Sequence, residues 1–133
     1  MIRLLTLIFV AVMTASSAFA SGAPKIKLTE KSFDFGTIRE ADGEVSHDFV
    51  IENIGDSPLI ITSASASCGC TTPLIPKEPV KKGEKATIRV TYNPAGRPGE
   101  FSKDITVRSN AKPSKFKLKI TGTVLPKSKQ KSK

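Results

Sequence analysis

Tryptophan is missing from this sequence, and tyrosine and histidine occur once each. Aromatic residues make up only 6% of the chain, so its core has to be built from aliphatic side chains. The few aromatics fall at core positions, which leaves no platform of stacking rings for single-stranded nucleic acid, and no nucleic-acid partner is expected. His47 alone cannot build a multi-histidine metal centre. There is no Gly-x-Ser-x-Gly elbow and no glycine loop placed to cradle phosphate, and the carboxylates are scattered singly. The chain therefore reads as a non-enzyme without a cofactor. Acidic residues are scarce too, 12 against 21 lysines and arginines, for a formal charge of +9.

What is present begins with a leader. Arg3 precedes the apolar run Leu4 to Ala15, and Ala18-Phe19-Ala20 supplies small residues before Ser21. The run is shorter than the roughly 20 residues a membrane-spanning helix needs, and its flanks suit signal peptidase. Residues 1–20 are thus expected to be a signal peptide cut after Ala20. Ser21 in place of cysteine disfavours a lipid anchor. No other stretch is apolar enough to span a membrane, so the product is expected in the periplasm or outside the cell, where disulfides are permitted. The remainder is expected to be one domain, residues 21–125, followed by a disordered lysine-rich tail, residues 126–133, with nothing to bury.

Glycine and proline punctuate the mature part so often that its longest stretch without either is Glu100 to Lys112. Inside such stretches apolar residues recur at every second position. Val45, His47, Phe49 and Ile51 share one face against Ser46, Asp48 and Glu52. Ala86, Ile88, Val90 and Tyr92 oppose Thr87, Arg89 and Thr91, and Ile105, Val107 and Ser109 oppose Asp104, Thr106 and Arg108. Phe116, Leu118, Ile120, Gly122 and Val124 alternate with Lys115, Lys117, Lys119, Thr121 and Thr123. A period of two means half-buried strands. Leu59 to Ala66 supplies another, Ile26 to Phe35 one or two, and Thr71 to Ile75 a short one. Turn residues at Ala41-Asp42-Gly43, Gly55-Asp56-Ser57-Pro58, Lys81-Lys82-Gly83-Glu84, Asn93-Pro94-Ala95-Gly96 and Asn110-Ala111-Lys112-Pro113 separate them. About seven short strands in about 100 residues predict an all-β, immunoglobulin-like antiparallel sandwich, with consecutive strands as neighbours.

The same residues carry a resemblance. Phe33-Asp34-Phe35-Gly36-Thr37-Ile38, then Phe49 with Asn53, Gly55, Pro58 and Leu59, are followed by Cys68-Gly69-Cys70-Thr71. Lys82-Gly83-Glu84, Tyr92-Asn93-Pro94, Gly99, Ile105 to Asn110 and Gly122-Thr123-Val124 complete the set. With these elements, residues 33–124 resemble a secreted bacterial family known as domain of unknown function 1573, itself similar to Hydin-like immunoglobulin domains. The Cys-Gly-Cys-Thr element is its most specific part. The resemblance implies an immunoglobulin-like fold and export, and brings no activity with it. By fold analogy it implies a protein-binding module.

Cys68 and Cys70 are the chemically unusual feature. In an extended strand their side chains would point the same way about 6.6 Å apart, against the roughly 3.8 Å between Cβ atoms that a disulfide wants. Bonding requires a bend at Gly69. The closed ring is so small that it constrains the unfolded chain by only about 1.6 kcal/mol. Such a bond, if formed, should be easily reduced. Three readings stay open: a structural pair where a strand leaves the core, a redox pair, and a two-thiolate site for a soft metal such as Cu(I). Were Asn53 and Pro58 to flank a hairpin, His47 would lie opposite Ala64, about 13 Å short of Cys68. It is expected to be a packed edge residue.

Basic charge collects on the last strand at Lys115, Lys117 and Lys119 and in the tail at Lys127, Lys129, Lys131 and Lys133. These are candidate contacts for a polyanion, set against their ordinary role as a solvated face that discourages strand-to-strand aggregation. The leading expectation is a binding module that recruits another protein or an envelope component through loops or an exposed strand edge.

Overall fold

In the computed structural model the period-two segments become eight strands: β1 (Ile26–Leu28), β2 (Ser32–Arg39), β3 (Val45–Asn53), β4 (Ile61–Ala66), β5 (Thr71–Leu74), β6 (Lys85–Tyr92), β7 (Gly99–Ser109) and β8 (Lys115–Leu125). A 3-10 turn, Glu40–Asp42, joins β2 to β3. The structure describes residues 22–128. The leader with its cut after Ala20, and Lys129, Lys131 and Lys133, lie outside the described residues. Among the described residues no helix is long and apolar enough to cross a membrane.

The strands form two four-stranded sheets, ordered β1-β3-β6-β5 and β2-β8-β7-β4. Their inner faces hold one aliphatic core, in which Phe49, Ile88, Ile105 and Leu118 are all fully buried. Burying each such side chain stabilises the fold by roughly 1.5–3 kcal/mol. The expected faces hold, with Lys115, Lys117 and Lys119 exposed beside buried Leu118 and Ile120.

Strand pairing departs from the expected order. Only β5–β6 and β7–β8 join consecutive strands, and β2 runs parallel to β8. β3 and β4 lie in different sheets. The passage between them is anchored by Asn53, wholly buried at the end of β3. Its amide nitrogen donates to Ser57 O at 2.8 Å and Val80 O at 2.9 Å. Its oxygen accepts from Gly55 N–H at 3.0 Å and Lys25 N–H at 3.3 Å. Gly55-Asp56-Ser57-Pro58 is thereby a crossing between sheets and not a hairpin.

His47 consequently pairs with Val90 on β6, not with Ala64. Its ring stacks on Phe33, with centroids 3.6 Å apart, meets Phe49 edge-on, and bonds Glu30 through Nε2. It is a packed residue between the sheets.

Candidate functional site

One pole of the sandwich gathers the 3-10 turn, the Ser67–Cys70 turn and the loop after β6. Asn93 N–H donates to Cys70 O at 2.8 Å. Glu40 accepts Gly96 N–H at 2.7 Å and Lys127 N–H at 3.1 Å, tying the loop and the chain beyond β8 to the turn. These backbone donors hold the Glu40 carboxyl below its ordinary pKa.

At this pole Cys68 and Cys70 are joined as a disulfide, with Cα atoms 5.4 Å apart. The expected bend is there. Thr71 N–H reaches back to Cys68 O at 3.4 Å and closes a tight turn. Gly69 makes it outside the left-handed region, and a Cβ there would meet nothing within 4 Å, so the turn does not depend on glycine. Cys70 is buried with the core and Cys68 is half-buried at its margin. As a disulfide the pair offers no thiolate, so a soft metal would require reduction first. His47 does not join it, and no group of three or more His, Cys, Asp or Glu among the described residues is arranged to hold a metal.

The sulfurs have a polar neighbour that sequence reasoning left in the motif without a role. Thr71 is buried, and its hydroxyl lies 3.7 Å from Cys70 Sγ and 3.9 Å from Cys68 Sγ. Its position directly after Cys70 was the available signal.

β4 leads into this turn and forms an edge of its sheet. Ser67 N–H donates to Asp104 O at 3.1 Å, which fixes the ladder's phase. Antiparallel alternation then turns the backbone groups of Ser63 and Ser65 toward β7 and those of Ala64 and Ala66 outward. β4 reads Ile61-Thr62-Ser63-Ala64-Ser65-Ala66, with no charge, proline or glycine, and its one irregularity lies between Ile61 and Ser63. The other edges are blunted. β1 has three residues and a lysine, β2 is broken by a bulge at Gly36, whose φ is +67°, and β5 is short and places Pro73 at an outward position.

The lysines divide. Lys115, Lys117 and Lys119 line the outer face of β8, opposite Arg108, Thr106 and Asp104 of β7. Lys119 Nζ lies 3.9 Å from Asp104. Among the described residues no carboxylate reaches Arg108, Lys115 or Lys117 within salt-bridge distance. Lys127 sits past the far end of β8, roughly 26 Å of strand from Lys119 at about 3.3 Å per residue, so the two groups are not one patch.

Two four-stranded sheets around an aliphatic core, with the chain crossing from one sheet to the other, define an immunoglobulin-like β-sandwich. Residues 26–124 match the family model described as "Protein of unknown function (DUF1573)", and the chain belongs to that family. No curated protein matches the sequence.

Similar solved structures include a protein of unknown function from Porphyromonas gingivalis W83, with TM-score 0.66 and 20% identity over 75% of this chain and 46% of that one. This chain thus spans less than half of that protein. A PapD-like domain of human CEP192 gives TM-score 0.64 at 12% identity, over 80% of this chain and 89% of the domain. The Escherichia coli chaperone DraB gives 0.52 at 13%, over 77% of this chain and 56% of that one. At these identities the likeness shows the fold alone.

Proposed function

We propose that the chain is an exported, non-catalytic immunoglobulin-like module, working in the periplasm or outside the cell. It binds an extended segment of another protein or envelope component by strand addition to β4. The observation that carries this reading is the contrast among edges. Shortness, a mid-strand bulge and a proline blunt β1, β2 and β5, whereas the irregularity of β4 is confined to its start, and the rest presents the outward N–H and C=O of Ala64 and Ala66 without a charge in the strand. Added strands gain main-chain hydrogen bonds, and side chains on alternate positions set specificity. The basic face beyond β4, with Arg108, Lys115 and Lys117, favours a segment carrying carboxylates on that side.

The test is selection of ten-residue peptides from a displayed library on the full chain, followed by amide exchange. Selected peptides are expected to be extended and acidic on one face, and to protect the Ala64 and Ala66 amides. Ala64→Pro removes an outward N–H and is expected to abolish binding while the circular dichroism spectrum stays the same. Peptides that bind Ala64→Pro as well as the parent would refute the reading.

A further inference from the structure

Backbone pairing holds the Cys68–Cys70 turn on both sides, besides the bond between the sulfurs. Ser67 N–H donates to Asp104 O at 3.1 Å on one side, Asn93 N–H to Cys70 O at 2.8 Å on the other, and Thr71 pairs with Tyr92. A ring closing three residues adds little to this, because the chain-entropy gain of a cross-link shrinks with the loop it closes. The bond is therefore dispensable to the fold, and its chemistry is the part left to explain.

Three features give that chemistry a direction. Cys68 is half-buried at the margin of the core, whereas Cys70 is 4% exposed. Cys68 is thus the more accessible of the two to an incoming sulfur, its Sγ accepting the Cys70 N–H at 3.3 Å. Thr71 is also 4% exposed, and among the described residues the only hydrogen-bond partners of its hydroxyl are the two sulfurs, Cys70 Sγ being the nearer at 3.7 Å. A buried hydroxyl aimed at a cystine is placed to donate to whichever sulfur becomes a thiolate.

We propose that Cys68–Cys70 is a thiol–disulfide exchange site for a dithiol, with Cys68 the sulfur attacked, Cys70 the sulfur that leaves, and Thr71 the positioning residue that stabilises it. A thiolate of the dithiol attacks Cys68 Sγ. The Cys68–Cys70 bond breaks with its electron pair on Cys70, which leaves as a thiolate accepting a hydrogen bond from Thr71 Oγ1. The dithiol's second thiolate then attacks its own sulfur in the mixed disulfide and expels Cys68. The dithiol is oxidised by two electrons to a disulfide, and Cys68 and Cys70 are reduced and take up the two protons it released. This goes beyond strand binding and does not depend on it.

The experiment treats the full chain with dithiothreitol without denaturant, quenches with an alkylating agent and counts labels by intact mass. Complete reduction is expected while the chain stays folded, with the melting temperature lowered by no more than about 10 °C, the share the small ring contributes. Thr71→Val is expected to slow reduction about tenfold while Thr71→Ser keeps the parent rate, the difference isolating the hydroxyl. Glutathione disulfide is expected to trap Cys68 in Cys70→Ser about tenfold faster than Cys70 in Cys68→Ser. Ala64→Pro is expected to reduce at the parent rate, which separates this site from the β4 edge. A bond that resists reduction until the chain unfolds would overturn the proposal, and so would parent-rate reduction of Thr71→Val or equal trapping of the two cysteines.

Discussion

Asn53 has no exposed surface, yet its side-chain amide makes four hydrogen bonds that hold the chain as it passes from one sheet to the other. Asn53→Ala leaves Lys25 N–H, Gly55 N–H and Ser57 O without these partners, while Val80 O keeps its bond from Leu59 N–H, and each unpaired group costs about 1–3 kcal/mol if it stays dry. The expected loss is about 3 kcal/mol of unfolding free energy, measured in urea, and a loss under about 1 kcal/mol would show that water replaces the amide. Gly122 is the opposite case, a residue defined by the space it leaves. A Cβ there would lie 2.7 Å from the ring of Phe101, which stacks on Tyr92 with centroids 4.0 Å apart. Gly122→Ala is expected to cost about 1–3 kcal/mol, seen as a lower melting temperature, with Phe101→Leu restoring part of it in the double variant. The alternation in β8 placed Gly122 on the inner face, but only the pairing of Phe101 with Gly122 reveals the ring that fills the gap.

At the scale of elements, the strands were legible from their period, whereas their partners were not. Alternation says which face of a ribbon is buried, and it is silent about which neighbour supplies the hydrogen bonds. Ile26 to Phe35 shows this, since it breaks into β1 in one sheet and β2 in the other, where β2 runs parallel to β8. The edges follow from that topology. β5 carries Leu74 at 60% exposure, and beyond Leu74↔Arg89 its pairing with β6 stops. Pro73 keeps an outward donor from this apolar edge. Pro73→Val restores the N–H and is expected to promote self-association, read as a concentration-dependent shift to larger species in size-exclusion chromatography; a monomer at all concentrations would argue that the edge needs no such protection.

At the scale of the whole molecule, among the described residues the carboxyls of Asp48, Asp56 and Glu40 have their pKa values lowered. Arg89 donates two hydrogen bonds to Asp48, Lys82 bonds Asp56, and the backbone N–H groups of Gly96 and Lys127 bond Glu40. A carboxylate with a depressed folded pKa stabilises the fold above its unfolded pKa and loses that contribution as pH falls through the folded value. Stability is therefore expected to hold level from neutral pH to about 5 and to decline below about 4, followed as the urea midpoint against pH. Glu40→Gln is expected to flatten the acid limb. An identical limb in the variant would mean that Glu40 does not tie the pole together.

The order of residues by itself determined the strands, their wet and dry faces and the aliphatic character of the core. Each of these is local, because side-chain parity along an extended backbone needs no partner to be read. It also set Cys68 and Cys70 close enough to bond once the chain turns. Only the tertiary structure decided that His47 belongs with Phe33, Phe49 and Glu30, that Thr71 faces the two sulfurs, and that β4 stands at an edge without a charge to guard it. Those facts depend on which strands lie side by side, and such contacts are long-range: β2 meets β8, and the buried amide of Asn53 has partners up to 28 positions away in the chain.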